Sequence, residues 1–122
     1  MSVEGKQMVD VIVTDTDNRG NRYKVVDISG TIAANANAAY GIVATGVNSG
    51  HHESVAWFGH MKGYAGAAVT IGAKLTVTTS GYLIVNATSG ATTVGRARVA
   101  ANSGDLFDLI GNFANAGTDG GV

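Results

Sequence analysis

Residues 63 to 113 read GYAGAAVTIGAKLTVTTSGYLIVNATSGATTVGRARVAANSGDLFDLIGNF. Short strand-like runs follow one another here, most of them closed by a glycine or a serine-glycine turn. Turn signals spaced about 8–12 residues apart, with short strands between them, specify an all-β sandwich or barrel. No stretch of helical period is long enough for a parallel βαβ unit. Proline is absent, so the turns fall to 18 glycines and to Asn, Asp and Ser, which tolerate left-handed or locally hydrogen-bonded conformations.

The individual runs can be placed. Residues 8–14 alternate, with Val9, Val11 and Val13 on one side and Asp10 and Ile12 on the other, which predicts a strand. Residues 15–21 (DTDNRGN) form a polar turn, and the β-branched run 23–29 predicts a returning strand, hence a hairpin. Residues 30–40 combine alanines with asparagines and hold at most one short helix, near Thr31 to Ala39. Strands follow at 41–47 and 53–64. Residues 74–78 and 82–86 flank Thr79-Ser80-Gly81, a three-residue hairpin loop with glycine where a positive φ is wanted. The last strands are 93–101 and 106–111. The expected architecture is one compact all-β domain, a sandwich or barrel. It has an N-terminal arm (1–7), a β core (8–113) and a C-terminal tail of small residues (114–122).

Composition narrows the function. Charged residues make up 14% of the 122-residue chain, against an average of about 25%. The surface is therefore rich in Gly, Ala, Ser, Thr and Asn, and suited to being covered by neighbours. The net charge is −1 and no basic block is present, which argues against nucleic acid as a partner. No cysteine is present, so disulfide and thiolate chemistry are excluded. MSVEGKQMVD has neither the basic start nor the apolar run of a signal peptide, and no run approaches the ~18 apolar residues of a membrane helix. The expectation is a soluble protein folded in a cytoplasm, with no membrane partner.

The candidate chemical motifs read as ordinary structure. His51, His52 and His60 invite a metal, but no spaced ligand set supports them, and adjacent strand residues point to opposite faces. Residues 15–20 resemble the start of a calcium loop. Arg19 and Val26 stand where Asp or Asn and Glu are needed. Ser54, His52 and Asp27 supply the residue types of a triad without a nucleophile elbow. Asn86-Ala87-Thr88 fits a glycosylation acceptor. The expectation is no enzyme, no cofactor and no metal. On the strand 53–64, Val55, Trp57, Phe58 and Met61 contribute to a run that is apolar on both faces. In so short a chain one face could be covered by another subunit, and core packing is the equal alternative.

Against this background, residues 65–109 resemble the small capsid decoration, or cement, proteins of tailed bacteriophages. The matching text is Ala67-Ala68-Val69-Thr70-Ile71-Gly72-Ala73-Lys74-Leu75-Thr76, then Thr79-Ser80-Gly81, then Val94-Gly95-Arg96-Ala97, then Ala101-Asn102-Ser103-Gly104-Asp105-Leu106-Phe107. Upstream, Tyr40-Gly41-Ile42-Val43 and residues 51–59 (HHESVAWFG) extend it, so that it spans roughly residues 23–113. It departs at Arg96-Ala97-Arg98, where many relatives are less basic, and this leaves the face of those arginines open.

The resemblance implies a structural virion protein, made in the host cytoplasm and sitting on the outer capsid surface. As a homotrimer it would bridge neighbouring major capsid protein subunits. It makes Val55, Trp57, Phe58 and Met61 candidates for the trimer interface, and Ser2, Val3, Glu4, Lys6, Asn48, His51 and His52 candidates for shell contact. The rival is a carbohydrate- or cell-surface-binding β module of a fibre or adhesin. Aromatics at 7% of the chain weigh against it.

Overall fold

The computed structural model describes residues 7–87 and 92–113. Eight strands run in chain order: β1 (Gln7–Val13), β2 (Val25–Val26), β3 (Gly41–Val43), β4 (His52–Tyr64), β5 (Lys74–Val77), β6 (Leu83–Val85), β7 (Gly95–Ala97) and β8 (Leu106–Asn112). A 3-10 turn, Ala36–Ala38, lies inside the segment expected to hold at most one short helix. All strands belong to one sheet, ordered β2-β3-β4-β8-β7-β5-β6, with β1 beside β4. The ladders between the strands are all antiparallel. The sheet curls into a half-barrel, and β6 returns to the residue after β4 through the Ala65–Leu83 bridge. The expected all-β architecture is what the chain adopts.

Curling gives the sheet an inside. Met61, Leu75, Leu83, Val94, Ala97, Phe107, Leu109 and Phe113 fill it, each no more than 7% exposed. Every second residue of β5, β7 and β8 points inward, as a half-buried strand requires. A smaller cluster, Val26, Val43 and Val55, sits on the other side of β2 and β3, capped by Ile12, Ile32 and Tyr40. The β5–β6 hairpin forms as expected, with Gly81 at φ +79 in its turn.

Two expectations fail for identifiable reasons. The first is the hairpin between residues 8–14 and 23–29. The first strand pairs with β4 instead, from Gln7 opposite Gly59 to Val13 opposite His52. The second shrinks to Val25–Val26 and pairs with β3. The intervening segment closes as a loop because Asn18 ties it internally. Its buried side chain donates to Thr14 Oγ1 (3.0 Å) and to the Gly30 carbonyl (2.8 Å), and accepts from Asn21 Nδ2 (3.0 Å). Asp27 then ends the strand by accepting from Ser29 and Thr31. Asn18→Ala strands Asn21 and the Gly30 carbonyl, and is expected to cost about 2 kcal/mol. The urea midpoint, at unchanged slope, measures it.

The second concerns β4, read as largely apolar on both faces. The ladder with β1 skips Trp57: Met8 faces Phe58, but Val9 faces Ala56. One extra residue on β4 is a bulge, and it reverses which side chains point inward. Val55 belongs to the smaller cluster, whereas Ala56 and Met61 belong to the main core. Only the first part of β4 is thus covered on both faces within one subunit. The N-terminal arm (apart from Gln7, which opens β1) and the C-terminal tail lie outside the described residues.

Candidate functional site

The residues singled out from sequence separate cleanly. Val55 and Met61 lie inside the subunit, at 0% and 4% exposure. Trp57 is partly buried against the core, and Phe58 is 42% exposed. Asn48 and His51, in the loop between β3 and β4, and His52, the first residue of β4, are all exposed. Ser2, Val3, Glu4 and Lys6 lie outside the described residues.

That loop tip stands on an unusual base. Glu53, the second residue of β4, is fully buried. Its carboxylate accepts from the backbone N–H groups of Thr45 (3.2 Å), Gly46 (3.0 Å) and Val47 (3.0 Å), and from the Thr45 hydroxyl. Thr45 Oγ1 in turn accepts from the Ser54 N–H at 3.2 Å. Three successive backbone donors converging on one carboxylate make a closed anion nest. The tip at 48–52 is therefore held from below, while its side chains remain free to touch a neighbour.

Two exposed surfaces were not read from the sequence. The first is β1 itself. Met8, Val9, Val11 and Val13 are 46–54% exposed, and among the described residues the strand has β4 as its only ladder partner. The valine side, Val9, Val11 and Val13, is about half exposed, and none of the described residues' core clusters includes it.

The second is the outer face of β4, β8, β7 and β5. Register places His60, Ile110, Arg96 and Lys74 in one row across the four strands. Lys62 and Asp108 face each other in the adjacent row, beside Arg98, whose N–H bonds the Asp108 carbonyl at 3.0 Å. Phe58 and Ile110, 42% and 44% exposed, are the apolar part of this face. Four of the chain's eight Lys and Arg residues therefore share one face with one carboxylate. Lys62 Nζ lies 2.9 Å from Asp108, and His60 3.7 Å from it. The hydrogen bond from Lys62, partly opposed by burial, holds the Asp108 carboxyl below the ordinary aspartate range. Arg98 packs its guanidinium against the His60 ring at 3.0–3.1 Å.

Among the described residues no group of three His, Cys, Asp or Glu is placed to hold a metal. A cleft of about 210 Å3 is lined by Arg22, Tyr23, Ile42, Ala44, Met61 and Lys62 among others, with no carboxylate. Of the triad residues, Asp27 has its carboxylate taken up by Ser29 and Thr31. No helix among the described residues is long and apolar enough to cross a membrane.

The curled sheet has a solved counterpart: the head fiber gp8.5 N base of bacteriophage phi29. This chain is similar in fold to a phage head-fiber base. The TM-score is 0.67 at 16% identity, over 88% of this chain and 96% of the fiber base. At that identity the likeness is one of fold. Neither a protein-family model nor a curated protein sequence matches the chain.

Proposed function

We propose that this chain is a non-enzymatic structural protein of a phage particle that attaches to the outer surface of the head. The observation that carries the reading is the fold match, which takes in nearly the whole of a head-fiber base. A surface low in charge, an apolar strand exposed on β1 and a braced loop tip are what a protein engaged by neighbours requires. In its finer form the reading is decoration: the chain, as a homotrimer, bridges major capsid protein subunits and stiffens the shell after synthesis in the host cytoplasm. The loop tip Asn48, His51 and His52 and the terminal arms are the proposed shell contacts.

Multivalent attachment makes a quantitative prediction. Several weak contacts from one oligomer raise one another's effective concentration, so losing the arms costs far more than one contact. Purified full-length chain added to undecorated heads should saturate a fixed number of positions. Deleting 1–6 and 114–122 should leave the melting transition in place and raise the half-saturation concentration by about 100-fold. No binding by the full-length chain overturns head attachment. Equal curves for the two forms move the contact to the loop tip.

A further inference from the structure

The cations of the outer sheet face are not neutralised by their neighbours. Asp108, the carboxylate set among them, is committed to Lys62 at 2.9 Å. Asp105, in the turn leading into β8, accepts from the Asn102 N–H at 3.0 Å. Lys74 and Arg96 are direct partners across the β5–β7 ladder, and among the described residues neither is in an ion pair. The Arg96 guanidinium donates to the Gly72 carbonyl at 3.3 Å. Like charges directly opposite each other weaken a sheet. A chain with only 14% charged residues therefore sets two cations where they repel, and no described carboxylate offsets the repulsion. The centre of the same face is apolar. Leu106 and Ile110 lie two residues either side of Asp108 on β8 and so share its side. With Phe58 they are 42–44% exposed.

We propose that this face docks an acidic protein surface, an apolar side chain ringed by carboxylates, presented by the shell subunit on which the chain sits. An apolar centre with a charged rim is the build of a protein interface. Charge complementarity fixes the sign of the partner's rim, because carboxylates placed over Lys74 and Arg96 would turn their mutual repulsion into attraction. Nucleic acid fits less well. Phe58 is the only exposed aromatic side chain among the described residues, so bases have little to stack on, and phosphates gain nothing from Leu106 and Ile110. The surface is separate from the loop tip and the terminal arms. Its shell source rests on the head-attachment reading; the acidic chemistry of the partner does not.

The test titrates the full chain with a capped peptide carrying one leucine between two pairs of glutamates, read by amide chemical shifts. The peptide should move the amides of Lys74, Arg96 and Ile110 and leave those of Asn48 to His52 in place. Its effect should fade as salt rises from about 0.05 M to about 0.5 M. Replacing its glutamates by glutamines, or using the double variant Lys74→Glu with Arg96→Glu, should weaken binding at least about tenfold. Both sites are exposed, and the variant exchanges one like-charged pair for another, so its melting temperature should stay close to wild type. Ile110→Ser should weaken peptide binding about threefold, a change to which phosphate-only binding is indifferent. On undecorated heads the double variant should need at least about ten times the wild-type concentration for half-saturation. A peptide that shifts nothing or shifts another surface overturns the proposal. So does tighter binding of a DNA oligonucleotide of equal charge, or heads that take up the double variant as readily as wild type. Heads that take up neither form, while the peptide still binds this face, would count against the proposed function and leave the acidic chemistry of the partner standing.

Discussion

Replacing Glu53 by alanine is expected to cost about 3–5 kcal/mol, a large part of the stability of a domain this size. Its carboxylate is the acceptor for three backbone donors, those of Thr45, Gly46 and Val47, and for the Thr45 hydroxyl. The residue is fully buried, so water cannot easily take over. The melting temperature should fall on the order of 10–20 °C. Glu53→Gln keeps the shape but turns an N–H2 toward backbone donors, so it should recover only part of the loss. Amide exchange adds a local readout: Thr45 to Val47 should lose protection before β8 does. A loss under about 1 kcal/mol would mean that the loop finds other acceptors, and the tip at 48–52 would no longer count as a braced element.

Gly95→Ala is expected to cost at least about 3 kcal/mol, more than overpacking usually does. A Cβ at Gly95 would lie 2.4 Å from the Ile110 carbonyl oxygen and 3.0 Å from the Gly111 Cα. Both obstacles are backbone, so no rotamer change relieves them; β7 must part from β8. The outer row that carries Arg96 and Ile110 would be displaced as well. Gly20→Ala is the control. Nothing lies within 4 Å of its added Cβ, and its effect should stay within about 0.5 kcal/mol. Equal melting temperatures for the two variants would show that the β7–β8 contact is looser than these distances indicate.

Gly95 also shows how sequence and structure divide the work. Val94-Gly95-Arg96-Ala97 stood out in the sequence as part of a resemblance, with no physical reason attached. The reason is a close approach of two backbones, and β7 and β8 supply it from separate parts of the chain. The three-residue turn at Gly81 was readable outright, because a hairpin turn is decided by its own residues. So were the β8 strand and the place of the 3-10 turn. The hairpin drawn between the first two strands failed because Asn18 reaches Gly30, twelve positions away, and turns the segment into a tied loop. The bulge at Trp57 was invisible for a related reason. It exists only in the ladder with β1, and an alternation count along β4 alone cannot register a skipped partner.

The candidate surfaces follow the same division. Asn48, His51 and His52 were readable as an exposed tip because polar, glycine-containing stretches between strands go to the surface. Local pattern therefore determined the all-β class, most strand positions, the glycine turns and the loop tips, since each depends on residues within a few positions of one another. Tertiary structure alone decided that β1 lies on β4 with its valines about half exposed, and that Val55 and Met61 are spent on the subunit's own core. It also brought Lys62, Lys74, Arg96 and Arg98, scattered over 37 positions of a chain with no basic block, onto one face. The physical reason is that strand pairing is non-local: the sheet aligns segments by hydrogen-bond register, and register is a property of two strands that neither carries by itself.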